Sequence, residues 1–248
     1  MRKHDTDIEH IRRAAKTLLY LDIAPTRIPF VATHPFTDTW NAGWRTTEKK
    51  DDTFEIIDLH DKDKQKEWRK VVSGEIDTGN LTDILFIITK PYRLLFLKMI
   101  LPFISDLDLG ECLSCAWVSV ENISKDCNVN GSELVTMFKR ADKTTLMTDE
   151  ERKCLDNLDE EVTVWRGVTD YNKGRRKALS WTLDYQKAQW FALRYTKAGT
   201  VREVTVPRKR VLAYFSGRGE REIILNLYGT NFEFKEISVT RKKEGEVT

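Results

Sequence analysis

The chain has 248 residues, 40% of them hydrophobic and 32% charged, which suits one or two globular domains with a core of real size. The most apolar stretch, 84–104, is broken by Lys90, Pro91, Arg93, Lys98 and Pro102, so it reads as buried core helices and not as a membrane span. The net charge of +2 is unevenly placed: residues 1–160 carry 23 Lys/Arg against 29 Asp/Glu, residues 161–248 carry 18 against 10, and the basic part favours a polyanionic ligand.

The opening residues, MRKHDTDIEHIRRAAK, hold no apolar signal region, so a cytoplasmic location with no membrane partner is expected. Residues 5–20 read as an amphipathic helix with Ile8, Ile11, Ala15, Leu18 and Leu19 on one face. Residues 24–50 contain three prolines and little periodicity, and read as loop. Two helices are expected within 81–104, parted near Pro91. The segment 130–141 reads as a helix capped by Ser132, and Thr148 with Glu151 gives a capping box at the head of 148–158. Cys112 and Cys115 form a C-x-x-C, but Cys127, Cys154 and the four distant histidines complete no zinc pattern; reduced thiols and no metal are expected. No repeat and no low-complexity segment appears.

At Glu161 the texture changes. Strands are expected over 162–168, 178–182, 200–206, 210–215, 222–228 and 232–239, with a helix over 183–198 whose Ala188, Phe191, Ala192 and Tyr195 share a face. The expected organisation is therefore α+β: a mainly helical region, 1–160, followed by a β-rich core, 161–248. The helical part is expected to border the ligand cleft, since pockets favour domain interfaces.

Three chemical elements stand in order on these strands: Trp165-Arg166-Gly167, then Ser180-Trp181-Thr182, then Glu220 and Glu222 one residue apart. In an extended strand the two glutamates share a face, roughly 7 Å apart. Cleaving a nicotinamide–ribose bond needs such a set. A carboxylate stabilises the oxocarbenium-like centre, and a second can take the acceptor's proton. An arginine forks onto a diphosphate, a glycine allows close backbone approach, and a hydroxyl holds the carboxylate. Trp190-Phe191 reads as helix core.

The order arginine, S-x-S/T, E-x-E over the last 85 or so residues resembles the R-S-E clade of mono-ADP-ribosyltransferases, the cholera-toxin-like and C3-like enzymes. The resemblance implies a split β-sandwich core that takes NAD as substrate. It makes Arg166 the NAD-binding arginine, with Gly167, Ser180 and Thr182 beside the dinucleotide. Glu222 becomes the catalytic glutamate and Glu220 the carboxylate serving the acceptor. The loop 214–221, YFSGRGER, falls where the family recognises its target, with Tyr214 or Phe215 near the aromatic position and Arg218 beside them. Trp181 and Thr182 depart from the family's S-T-S, which weakens any transfer of target specificity. The resemblance extends to toxin components of bacterial antiphage systems, which implies a possible antitoxin or inhibitor as partner.

The acceptor stays open between a nucleic-acid base (RNA or DNA) and a protein arginine. The basic clusters 172–177, 207–210 and 241–243 tilt the reading toward the base. A non-catalytic interaction protein on a transferase scaffold is the third reading. Retention of Arg166, Ser180, Glu220 and Glu222 together argues against it.

Overall fold

The computed structural model describes residues 5–27, 32–37, 58–119, 128–170, 172–217 and 219–241, and it is a mixed helix-and-sheet α+β structure. The chain divides into two compact units, Met1–Glu121 and Asn122–Thr248.

In the first unit, α1 (Ile8–Leu19) is capped by Asp7, whose carboxylate accepts from the His10 N–H at 3.1 Å, and it buries Ile11, Ala15, Leu18 and Leu19. Two short strands, β1 (Ala24–Pro25) and β2 (Ala32–Thr33), pair antiparallel in the region read as loop. Helix α2 (Lys62–Thr78) buries Trp68, Val72 and Ile76. Pro91 parts α3 (Leu81–Ile87) from α4 (Arg93–Ile100) through a single 3-10 turn, and α5 (Asp106–Ser119) follows. The buried Arg93 fastens this break: Nε donates to the Ile88 carbonyl at 3.0 Å, Nη2 to Phe86 at 3.2 Å and Nη1 to the Ser119 hydroxyl at 2.9 Å. Cys112 is buried on α5 and its thiol is pushed up to about 12, chiefly by desolvation. No helix among the described residues is long and apolar enough to cross a membrane.

The second unit opens with α6 (Gly131–Arg140), α7 (Lys143–Leu146) and α8 (Asp149–Asp156). Asn130, not Ser132, caps α6: its side chain takes the N–H groups of Ser132 and Glu133, and Glu133 returns a bond to the Asn130 N–H. A six-stranded antiparallel sheet follows in the order β6-β7-β4-β3-β5-β8. Its strands are β3 (Glu161–Val168), β4 (Ser180–Thr182), β5 (Ala198–Pro207), β6 (Val211–Phe215), β7 (Glu222–Leu225) and β8 (Lys235–Thr240). Helix α9 (Tyr185–Leu193) packs Ala188, Ala192 and Leu193 against Val201 and Val239.

The unit boundary therefore precedes residue 160. Helices α6–α8 belong to the sheet's body: Phe138 meets Phe215 at 6.4 Å between ring centres, and the buried Glu151 of α8 accepts from the Ser216 N–H at 2.7 Å. The change of texture at Glu161 marks a change of secondary structure, not an end of packing.

Candidate active site

Alternation along β3 sends Trp165 and Gly167 to the face covered by α9 and Arg166 to the other. The Trp165 ring stands edge-on to Tyr185 at 6.1 Å. A Cβ on Gly167 would sit 2.6 Å from the Ala188 carbonyl oxygen and 2.6 Å from the Ala192 nitrogen. Gly167 is thus a glycine because the backbone of α9 lies on it. The expectation that it opens room for a dinucleotide is replaced by a packing role.

Arg166 reaches across β4 and donates Nη1 to the Ser180 carbonyl. Withdrawal from water lowers its pKa to about 10; Glu222 opposes that shift, while Arg202 and Arg175 add to it. The register explains the second arginine: Arg166 is the cross-strand partner of Arg202 on β5, and Arg202 faces Glu236 on β8.

Arg202 is 4% exposed. Its Nε donates to Glu236 Oε1 at 2.7 Å, Nη2 donates to the Lys173 carbonyl at 3.2 Å, and its guanidinium lies 5.7 Å from the Phe234 ring centre. Nη1 is buried with no partner. A buried guanidinium N–H left unpaired is costly, and an anion is its natural complement. Sequence reasoning missed Arg202; the signal lay in the register of β3 with β5.

Ser180 and Glu222 sit diagonally on β4 and β7, where Thr182 pairs with Glu222 and Ser180 with Ile224. The Ser180 hydroxyl donates to Glu222 Oε1 at 2.5 Å. Glu222 is only 6% exposed and leads the fully buried run Ile223-Ile224-Leu225. A carboxylate in that setting needs a donor; the Ser180 hydroxyl supplies one, and the charge of Arg166 acts on it through space. Trp181, between the two hydroxyl residues, turns to the opposite face, gives its Nε1–H to the Ala178 carbonyl at 2.7 Å and stacks on Phe234.

Glu220 lies outside β7. Arg221 has φ +46°, so the i, i+2 alternation that would place both carboxylates on one face does not extend to Glu220. A turn sets the pair apart instead. Its carbonyls are fixed from the end of β4 and the residue after it: the Thr182 hydroxyl donates to Glu220 O at 2.6 Å, and the Leu183 N–H to Arg221 O at 3.1 Å. Thr182 also accepts from the Asp184 N–H at 3.0 Å and is buried, so its hydroxyl braces the turn.

The far end of the same loop is held by Glu151. Its Oε1 takes the Ser216 N–H at 2.7 Å and hydroxyl at 3.0 Å, while Oε2 closes the Thr148 capping box at 3.0 Å. The capping box was legible; the second use of Glu151 was not.

Tyr214 and Phe215 are not loop residues. Both lie in β6, paired with Ile223 and Glu222, and both are buried. The strand expected over 210–215 forms as β6 and runs to Phe215, so the recognition loop that the resemblance implied starts after both rings, and neither ring is presented to an acceptor. Arg218 lies outside the described residues.

The basic clusters are partly committed within the fold. Arg208 donates to the carbonyls of Asp156 and Leu158, Arg210 to Tyr228 O and the Thr230 hydroxyl, and Arg241 to Leu193 O. Lys173 to Lys177 remain exposed. Among the described residues no group of three His, Cys, Asp or Glu side chains could hold a metal.

Comparison with protein-family models, with curated proteins and with solved structures returns no match, so the function has to be read from the residues of this chain.

Proposed function

We propose that the chain is an ADP-ribosyltransferase of the R-S-E kind, carrying ADP-ribose from NAD to a macromolecular acceptor, with a nucleic-acid base as the favoured acceptor. One observation carries the reading. Adjacent strands β3, β4 and β7 bring a guanidinium, a hydroxyl and a buried carboxylate together, with Arg166 on the Ser180 carbonyl and the Ser180 hydroxyl 2.5 Å from Glu222. The six-stranded sheet with α9 on it is, in this reading, the transferase core.

The residues suit a dinucleotide on charge. Arg166, Arg175 and Arg202 gather near Glu222 and Glu236, and Arg202 Nη1 is an orphaned donor that a diphosphate oxygen would complete. NAD supplies a nicotinamide leaving group and a ribose carbon that becomes electrophilic as it departs. Glu222 stabilises positive charge on that ribose, held at one oxygen by Ser180. Glu220, half exposed on the turn, takes the proton of the incoming acceptor group. Arg166 and Arg202 hold the diphosphate.

The test is incubation of the chain with labelled NAD, RNA and lysate protein, following nicotinamide release and label transfer separately. Glu222→Gln removes the anion and should abolish both. Glu220→Gln should lower transfer by about 10² to 10⁴ while hydrolysis by water survives. Absence of nicotinamide release from the parent chain would end the reading.

A further inference from the structure

Helix α9 turns a row of alternating rings and cations outward. Trp190 is 52% exposed and Tyr195 75% exposed, and they are the exposed large hydrophobics among the described residues of the second unit. Lys187 Nζ lies 5.8 Å from the centre of the Trp190 ring. The Arg194 guanidinium lies 5.2 Å from the Trp190 ring and 5.2 Å from the Tyr195 ring. Residues 187, 190 and 194 follow i, i+3, i+7, a single helix face, and Lys197 beyond them is exposed.

The opposite face of α9, Ala188, Ala192 and Leu193, already fills the core. Trp190 therefore does not serve that core, contrary to the sequence expectation. No Asp or Glu occurs from 185 to 202, so nothing on this stretch of chain repels a polyanion. Glu203, the next acid, accepts from the Trp165 indole at 2.8 Å.

We infer that this face is a docking surface for single-stranded nucleic acid. Trp190 and Tyr195 are platforms for nucleobases, and Lys187, Arg194 and Lys197 meet the phosphates. Flat rings interleaved with cations match a strand whose bases expose a π face at every step. A duplex keeps its bases stacked inside and offers no such face. The cationic row gives an acidic ligand its charge complement, and the rings distinguish a nucleobase polymer from a plain polyanion. The choice of partner rests on the acceptor named under the proposed function; binding itself is independent of transfer.

The experiment uses the full chain carrying Glu222→Gln, so that no transfer occurs, and follows fluorescence anisotropy of labelled oligo(U) of about 20 nucleotides, with duplex RNA and heparin as parallel ligands. Single-stranded binding should weaken as salt rises. Trp190→Ala and Tyr195→Ala should each lower affinity on the order of 10-fold or more. Lys187→Gln and Arg194→Gln should each flatten the salt dependence by about 0.7 in log–log slope. Unchanged affinity in Trp190→Ala, equal or tighter binding of duplex or heparin, or a Trp190-dependent dimer in light scattering would each overturn the inference. Nicotinamide release by Trp190→Ala in the otherwise native chain should match the parent. Loss of oligonucleotide binding with release intact refutes the surface alone; absence of release with binding intact refutes the transferase alone.

Discussion

Removing one hydroxyl tests the site most sharply. Ser180→Ala deletes the donor 2.5 Å from Glu222 Oε1 and leaves the backbone of β4 in place, including the Ser180 carbonyl that receives Arg166. A hydrogen bond to a charged group contributes about 1.5–3 kcal/mol, and this one holds a carboxylate that is 6% exposed. If that orientation is needed as nicotinamide leaves, the loss falls on the transition state. At about 1.4 kcal/mol per factor of ten, nicotinamide release should drop by roughly 10- to 100-fold in kcat, with KM for NAD little changed. The midpoint of thermal unfolding should fall as well, because Glu222 loses a buried partner. The assay is therefore run well below that midpoint. Ser180→Thr keeps the hydroxyl on a strand that tolerates β-branching and should recover most of the rate. A kcat within about twofold of the parent, with the stability loss still present, would refute the reasoning and leave the Ser180–Glu222 bond as a structural tie alone.

Gly167→Ala should lower stability by about 1–3 kcal/mol, read by denaturant unfolding, because its Cβ would press on α9 backbone that cannot give way. An unchanged midpoint with a raised KM would restore the close-approach role for this glycine. Inorganic pyrophosphate titrated into the chain should bind, and Arg202→Gln should weaken it about tenfold or more, since the orphaned Nη1 is removed; Arg202→Lys should not restore it, lacking the fork. Calorimetric titration decides, and equal binding by parent and variant would make Arg202 a tie to Glu236 only. His34 supplies a pH test in the first unit. Burial, with Arg69 nearby, pushes its pKa down to about 4, so the unfolded chain takes the proton first as pH falls. Stability should be full above the ordinary value near 6.5 and decline below it, by about 2–3 kcal/mol at pH 4.5, a loss that His34→Phe should remove.

The elements of the second unit were largely legible because each carries a strong local signal. β3 and β5 are β-branched and alternating, and α9 begins directly after S-W-T at the Asp184 cap. What stayed hidden depends on pairing between distant segments. Arg202 looks like one arginine among eighteen cations until register sets it opposite Arg166. Thr182 looks like a spare hydroxyl until the turn at Glu220 meets it. Tyr214 and Phe215 belong to the strand expected over 210–215; only the family resemblance set them in a target loop, and their pairing with Ile223 and Glu222 keeps them in the sheet. In the first unit, α2 and α5 escaped individual reading. α2 is crowded with charge on both sides of a thin apolar line, and α5 opens with alternating acids at Asp106 and Asp108.

The separation of the two glutamates follows from Arg221. A non-glycine residue at φ +46° is held against a cost of about 1–2 kcal/mol, and the bonds from Thr182 and Leu183 to the flanking carbonyls offset it. That turn ends the strand at its N-terminal side and releases Glu220 from the buried face on which Glu222 sits. A regular strand would have held both carboxylates side by side in the same low-dielectric setting, where two like charges raise one another's proton affinity. The turn lets Glu222 keep its fixed partner in Ser180, with the charge of Arg166 acting on it through space, while Glu220 stays partly exposed. Glu151 and Thr182 anchor the loop at its two ends, so the second carboxylate is presented from a braced turn. On the proposed function, the buried Glu222 is the carboxylate that stabilises charge and the partly exposed Glu220 the one that takes the acceptor's proton, two tasks that call for these two different settings.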